Sequence, residues 1–303
     1  MNAIEFDHLS RKFGRNTVLN DLTFTVPTGS FFALLGPNGA GKSTTLKIAL
    51  NLLAPTTGEA RVLGKPSTSL RAEDFRRIGY IADGQDLPDW MKGSQFLAYC
   101  RSFYPEWDHD LANRLTREFR VPMDRAIKHL SRGQRMQISL LSTLPYRPEL
   151  LLLDEPFSGL DPLVRDDLIQ GFLELPTDDR PGTVVISSHD IDEVERLTDE
   201  VAFLAESRLL IRESSESLRA RFRRIEIVSA NPVISPDPSG CYEQYQPSAN
   251  VLQLTIGTFH ESTTTPELAG RYPGAAISVR AMTLREIFLA IARHERLAGM
   301  VAA

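Results

Sequence analysis

The chain has 303 residues, more than one average domain of about 150 and fewer than three, so a large domain with a smaller companion is expected. Its 34 basic and 39 acidic residues give a net charge of −5, which offers no overall nucleic-acid footprint, and a 42% hydrophobic content is ordinary for a soluble globular protein. Cys100 and Cys241 are too few for a disulfide framework and show no metal-ligand spacing. No apolar run approaches the roughly 18 residues that span a bilayer, and the first nine residues lack the plan of a signal peptide, so the cytoplasm is the expected compartment.

In chain order, Ile4 and Phe6, and then Leu22, Phe24 and Val26 interleaved with Thr23 and Thr25, alternate as half-buried antiparallel strands do. The apolar run Phe31-Phe32-Ala33-Leu34-Leu35 reads as a buried strand, followed by a glycine-rich turn and a helix from Ser43 to Leu53 that stops before Pro55. From Ser94 to Phe119 the pattern is helical, and another helix runs from Gly133 to about Leu144. Short buried runs at Leu150 to Leu153 and Thr183 to Ser187, each followed by a helix, point to right-handed βαβ crossovers and a parallel sheet. Near Glu206 the style changes. Strand-like Leu209 to Ile211, a basic helix and strand-like Ile225 to Val228 precede a Pro- and Ser-rich stretch, Asn231 to Asn250, that reads as an exposed loop. Two more strands, Val251 to Ile256 and one near Ala276 to Val279, lead to a closing helix whose start, Thr283-Leu284-Arg285-Glu286, fits a capping box.

Chemistry enters at Gly36-Pro37-Asn38-Gly39-Ala40-Gly41-Lys42-Ser43, with Thr44 beside it, a full match to the phosphate loop placed between a buried strand and a helix. Glycines let backbone N–H groups close around phosphates, the helix start adds a favourable dipole, Lys42 reaches phosphate oxygens and the Ser43 hydroxyl can ligate Mg²⁺. A second signal is Leu150-Leu151-Leu152-Leu153-Asp154-Glu155, a buried strand ending in two carboxylates where open α/β sheets hold ligands. Two adjacent acids are costly there without a cation. Their functional reading makes Asp154 an outer Mg²⁺ ligand and Glu155 the group that orients and polarises an attacking water, whereas a helix cap would explain only one of them. Leu130-Ser131-Arg132-Gly133-Gln134, which opens a helix, is weak alone, since Ser at a helix start is mostly a cap.

Taken together, the phosphate loop, this pentapeptide, the Asp-Glu strand, Ser158-Gly159-Leu160-Asp161 and Ser187-Ser188-His189 follow the order seen in ATP-binding cassette ATPases, and the first two thirds of the chain resembles that family. The resemblance implies a P-loop NTPase (RecA-like) α/β cassette over residues 1–205, with an antiparallel β-subdomain and a helical subdomain at about 84–145. A small α+β accessory domain would follow at 206–303. It also implies Mg²⁺-dependent ATP hydrolysis by a head-to-tail homodimer, in which Ser131, Gly133 and Gln134 of one subunit meet the γ-phosphate held by Lys42 of the other. By the same carry-over Asp161 lies at the dimer interface, His189 contacts the γ-phosphate and Phe13 stacks on adenine. Asp161-Pro162 is equally a good helix start, a lone His is more often structural, and Phe is an ordinary core residue.

Two positions depart from the family pattern. Asp83 stands where a metal-touching glutamine is usual, with Gln85 as a nearby rival, and Arg132 replaces the glycine at the third signature position. The carboxylate of Asp83 can still ligate a hard cation. Around Trp90 and Trp107 an aromatic-rich stretch resembles separate-chain exporter ATPases, which implies a docked transmembrane permease on the cytoplasmic membrane face; a small local core would use the same residues. Arg219, Arg221, Arg223 and Arg224 form one dense basic cluster, which suits either lipid headgroups or a solvated face. The rival reading, a soluble cassette ATPase on ribosomes or nucleic acid, usually needs a second cassette or a coiled-coil insertion, and the chain has neither, so no nucleic-acid partner is expected.

Overall fold

The computed structural model describes residues 1–174, 182–233 and 240–301 and divides into two compact units, Met1–Leu209 and Leu210–Ala303. The first opens with two long strands, β1 (Asn2–Phe13) and β2 (Asn16–Pro27), paired antiparallel with Phe6 opposite Phe24 and Ile4 opposite Val26. Alternation puts these apolar side chains on one face, where all four are buried. Phe24 also lies parallel to Phe32, ring centroids 6.0 Å apart. Phe32 belongs to β3 (Phe31–Leu35), which leads through the glycine-rich turn into α1 (Lys42–Ala49). The strands β4 (Thr57–Val62) and β5 (Lys65–Pro66) complete the small antiparallel sheet in the order β2-β1-β4-β5.

After α2 (Ala72–Phe75) and β6 (Ile78–Ile81) comes a helical block of α3 (Gly93–Arg101), α4 (His109–Phe119) and α5 (Arg132–Thr143). The helical pattern expected across Ser94 to Phe119 is thus two helices. Pro105 lies between them, where its missing N–H and ring would break a continuous helix. The two tryptophans of this block part company: Trp107 is buried, whereas Trp90 is 77% exposed.

Next follow β7 (Leu150–Asp154), α6 (Pro162–Glu174), β8 (Thr183–Ser188), α7 (Ile191–Val194), β9 (Glu200–Ala205) and β10 (Arg208–Ser214). The main sheet runs in the order β10-β9-β3-β8-β7-β6, and β9, β3, β8, β7 and β6 are mutually parallel. Parallel strands are covered on both faces, so they read as continuous apolar runs. Accordingly every residue of β7 and β8 is buried, and burying each of the four leucines of β7 contributes about 1.5–3 kcal/mol. The order also brings the carboxyl ends of β3, β8 and β7 side by side, the crevice where such sheets hold ligands.

The second unit contains α8 (Ser215–Arg221), β11 (Arg223–Val228), β12 (Cys241–Ser248), β13 (Val251–Ile256), α9 (Glu261–Arg271), β14 (Ala276–Ala281) and α10 (Leu284–Val301). Its antiparallel sheet, in the order β12-β13-β11-β14, buries Ile225, Ile227, Leu252, Leu254 and Ile256 together with Leu268 of α9. The expected capping box is present: the Thr283 amide donates to Glu286 at 3.0 Å and the Glu286 amide donates to the Thr283 hydroxyl at 3.2 Å. One expectation is corrected. The stretch Asn231 to Asn250 is not all loop, because Cys241–Ser248 pairs with β13; residues 234–239 lie outside the described residues. The basic cluster is largely paired. Arg221 meets Glu213 at 2.7 Å, Arg224 lies 3.5 Å from Glu243 and 3.7 Å from Glu286, and Arg223 lies over the Phe259 ring.

Candidate functional site

The loop between β3 and α1 is shaped by glycines. Gly41 has φ +105, and a Cβ there would run into the Leu19 side chain; a Cβ on Gly36 would strike the Leu204 carbonyl. Only glycine fits either place. The first amides of α1 have no carbonyl one turn back within the helix, which makes them the donors a phosphate would take.

Lys42, the first residue of α1, is 5% exposed and turned back onto its own loop. Its ammonium donates to the carbonyls of Gly36 at 2.8 Å and Pro37 at 3.2 Å, and lies 3.0 Å from Glu155 Oε1. A buried ammonium needs partners of this kind, and a phosphate arriving in the loop offers stronger ones.

The acidic pair is held by different neighbours. Asp154 is 2% exposed, and its Oδ1 accepts from the Ser43 hydroxyl at 2.9 Å and the Ser187 hydroxyl at 2.6 Å. Ser187 stands opposite Asp154 in the β7–β8 register and also receives the Glu155 amide at 3.0 Å on its hydroxyl. Glu155 lies just past the strand, with φ +49, and its second oxygen accepts from His189 Nδ1 at 2.7 Å. One carboxylate is therefore shared between Lys42 and His189. Sequence reasoning places Ser187 only within the run Ser187-Ser188-His189 and gives it no role of its own. Its signal was a hydroxyl closing a fully buried parallel strand, where an unpaired polar group would be costly.

The Ser43 hydroxyl and the Asp154 carboxylate, 2.9 Å apart, are hard oxygen donors. Among the described residues no cluster of three or more His, Cys, Asp or Glu could hold a metal unaided. Mg²⁺ habitually keeps several waters and takes the rest of its shell from phosphates, so two protein oxygens beside a phosphate loop fit it.

Ser131 caps α5: its hydroxyl accepts from the Gln134 amide at 3.2 Å, and the Gln134 side chain accepts from the Ser131 amide at 3.1 Å. Gly133, buried, lets α5 approach α6, since a Cβ there would lie 2.5 Å from Val164 Cγ1. Asp161 caps α6 through the Leu163 amide at 2.9 Å. Among the described residues neither Ser131 nor Gln134 hydrogen-bonds to the phosphate loop; each side chain accepts from the other's amide, and the Ser131 carbonyl accepts from the Arg135 amide at 2.9 Å. Phe13 is 45% exposed at the β1–β2 turn with the Arg11 guanidinium 4.4 Å from its ring centre, so it is no core residue. Asp83, beyond β6, faces Arg132 at 3.2 Å. A cavity of about 260 Å³ lies here, with Asp83, Gln85, Arg132, Arg135, Glu155 and Leu160 among its lining.

Residues 19–158 match the family model described as ABC transporter. The chain is 28% identical to a protein of Burkholderia orbicola named Nod factor export ATP-binding protein I, covering 96% of this chain and 97% of that one. It is 29% identical to the ABC transporter ATP-binding protein YtrB of Bacillus subtilis, covering 74% of this chain and 76% of that one. A solved structure titled "Structure of ATP binding subunit of ABC transporter" superposes with a TM-score of 0.63 at 28% identity, over 72% of this chain and 92% of that one.

Proposed function

We propose that this chain, which carries a domain of the ABC transporter family of ATPases at residues 19–158, is the motor of an exporter and acts on a separate transmembrane permease from the cytoplasmic membrane face. The domain binds and hydrolyses ATP, as its family does, and relatives that are ATP-binding subunits of transporters imply a separate membrane component. No helix among the described residues is long and apolar enough to cross a membrane, which fits a motor whose membrane part is another polypeptide. Export is proposed because a relative named for it aligns along nearly the whole chain.

The observation that carries the reading is the shared Glu155 carboxylate, 3.0 Å from Lys42 and 2.7 Å from His189. When ATP enters, Lys42 leaves Glu155 for the β- and γ-phosphate oxygens, which the backbone amides of Gly39, Gly41, Lys42, Ser43 and Thr44 also cradle. Mg²⁺, held by Ser43 and Asp154, would supply charge neutralisation on the phosphates. Glu155, released from the ammonium and held by His189, then orients and polarises the attacking water, accepting its proton at a carboxylate oxygen as the water's bond to the γ-phosphorus forms and the bond from that phosphorus to the β–γ bridging oxygen breaks, so that ADP leaves with the electron pair. His189 reaches the γ-phosphate from the same side. Phe13 offers the adenine an exposed ring face. Asp83 would join the metal only by leaving Arg132.

Ser131, Gly133 and Gln134 stand at a helix start with no bond to their own phosphate loop, and in this reading they close on the γ-phosphate of a second copy, with Asp161 at the contact. Each site then needs two chains, and the working unit is a homodimer. The test is a direct ATP titration of the purified chain. Lys42→Ala should weaken ATP binding by at least about tenfold, as expected when phosphate charge loses a desolvated partner worth more than about 1.4 kcal/mol. Unchanged affinity would overturn the assignment of the loop.

A further inference from the structure

The two positions that depart from the family pattern meet each other. Asp83 follows β6 and Arg132 opens α5, 49 residues on, yet the Arg132 guanidinium lies 3.2 Å from Asp83 Oδ1. The same guanidinium covers Gly159, in the loop after β7: a Cβ on that glycine would lie 2.6 Å from Arg132 Nη1. Gly159 has φ +65 and no side chain, which leaves room for the arginine. One side chain therefore spans three segments, and Asp83, Arg132 and Glu155 border the same cavity of about 260 Å³.

We propose that Asp83 and Arg132 form a latch within the chain, and that Asp83 is a positioning residue for the Ser131–Gln134 turn rather than a metal ligand. An arginine standing alone beside exposed helix-start amides would repel them and roam; tied to Asp83 and laid over Gly159, its charge is neutralised and its stem is fixed. The turn is then held in one orientation relative to the loop that carries Glu155. Both side chains are about half exposed, so the latch is weak, worth up to about a fivefold change in an equilibrium. A weak link suits a turn that must be oriented yet remain able to move. Arg135, one helical turn further into α5, is occupied by Asp89 at 3.1 Å and does not compete for Asp83.

The primary test is amide hydrogen exchange of the nucleotide-free full chain at Arg132–Met136, which does not depend on ATPase activity. Asp83→Ala and Arg132→Gln should each speed exchange there by about two- to fivefold, by similar amounts, with the double variant no faster than either single one. The reversed pair, Asp83→Arg with Arg132→Asp, should return exchange towards wild type. Additive single effects, or no change in Arg132→Gln, would overturn the latch. The positioning role rests on the two-chain reading proposed above and has its own measure, the ATP concentration for half-maximal turnover. It should rise by about two- to fivefold in both single variants at unchanged kcat, and the Mg²⁺ requirement at saturating ATP should stay as in wild type. If exchange responds but this ATP concentration does not, the positioning role fails. If Asp83→Ala alone raises the Mg²⁺ requirement, Asp83 is a metal ligand and the latch assignment is overturned. If the wild-type chain turns over no ATP, it is the ATPase reading that fails, and the exchange result still decides the latch.

Discussion

Glu155 occupies a backbone region, φ +49, that a glutamate enters only when its surroundings force it. Ser187 does the forcing, since its carbonyl and hydroxyl both receive the Glu155 amide, at 3.1 and 3.0 Å. The cost of that conformation, of order 1–3 kcal/mol, places the carboxylate between Lys42 and His189. Lys42, Ser43, Asp154 and Glu155 were legible in the sequence because each sits in a contiguous pattern, a glycine loop before a helix or a leucine strand ending in acids. Ser187 as a partner of Asp154, and Arg132 as a partner of Asp83, were not. They come from segments 33 and 49 residues away, and only the strand order and the placement of α5 bring them together. Asp108 shows the same limit and carries a prediction. It caps α4 through the Leu111 amide at 2.8 Å and meets Arg147 at 2.6 Å. The Leu111 amide first, then Arg147, hold its carboxyl below the ordinary 3.8. A depressed folded-state pKa adds stability that is present above pH 3.8 and lost as pH falls through the lower folded value. Asp108→Ala should therefore cost about 1 kcal/mol near neutral pH, with a gap to wild type that narrows as the pH drops below that range. Urea titrations at several pH values measure this, and coincident midpoints at pH 7 would count against it.

At the scale of elements, the parallel strands were readable because burial on both faces leaves a continuous apolar run, as in Leu150 to Leu153. β12 was not, for the converse reason. It is an edge strand with Gln244, Tyr245, Gln246, Pro247 and Ser248 exposed, so neither face had to be apolar and no alternation appears. Edge strands also tolerate proline, which removed the remaining hint. The α5–α6 contact depends on one missing side chain. Alanine normally stabilises an exposed helix interior relative to glycine by about 0.5–1 kcal/mol; at Gly133 its Cβ would instead press on Val164. Gly133→Ala should thus destabilise the chain by about 1–3 kcal/mol, as overpacking does, and Val164→Ala in the same chain should recover most of the loss. Thermal unfolding of the wild type and these two variants reads the outcome, and a more stable Gly133→Ala would contradict the close approach.

For the whole molecule, the change of style near Glu206 was read as a domain boundary after residue 205, and the structure divides between Leu209 and Leu210; what surrounds the two units was open. Two of the four arginines of the second unit's cluster are engaged with carboxylates, Arg221 with Glu213 and Arg224 with Glu243 and Glu286, which lowers the charge it can offer anionic lipid. The first unit exposes Trp90, Tyr99 and Phe103 in its helical block, the latter two edge-on at 5.1 Å. Exposed aromatics suit a protein interface, so membrane association should require the permease and resist salt. Charges in water are largely screened beyond about 10 Å at 0.1 M, and binding through lipid alone should be stripped at higher salt. Sedimentation with permease-containing and permease-free membranes, at low and high salt, distinguishes these; salt-labile binding indifferent to permease would contradict the docking account.

The central claim is that Glu155 activates water on ATP held by Lys42, and the most direct measurement is ATP binding and turnover by Glu155→Gln beside the wild type. Glutamine preserves the shape but neither takes a proton nor pairs with an ammonium. Turnover should fall by about 10² or more, while ATP affinity is kept or tightened, because Lys42 no longer has to leave a carboxylate. Turnover within a few-fold of wild type would contradict the account.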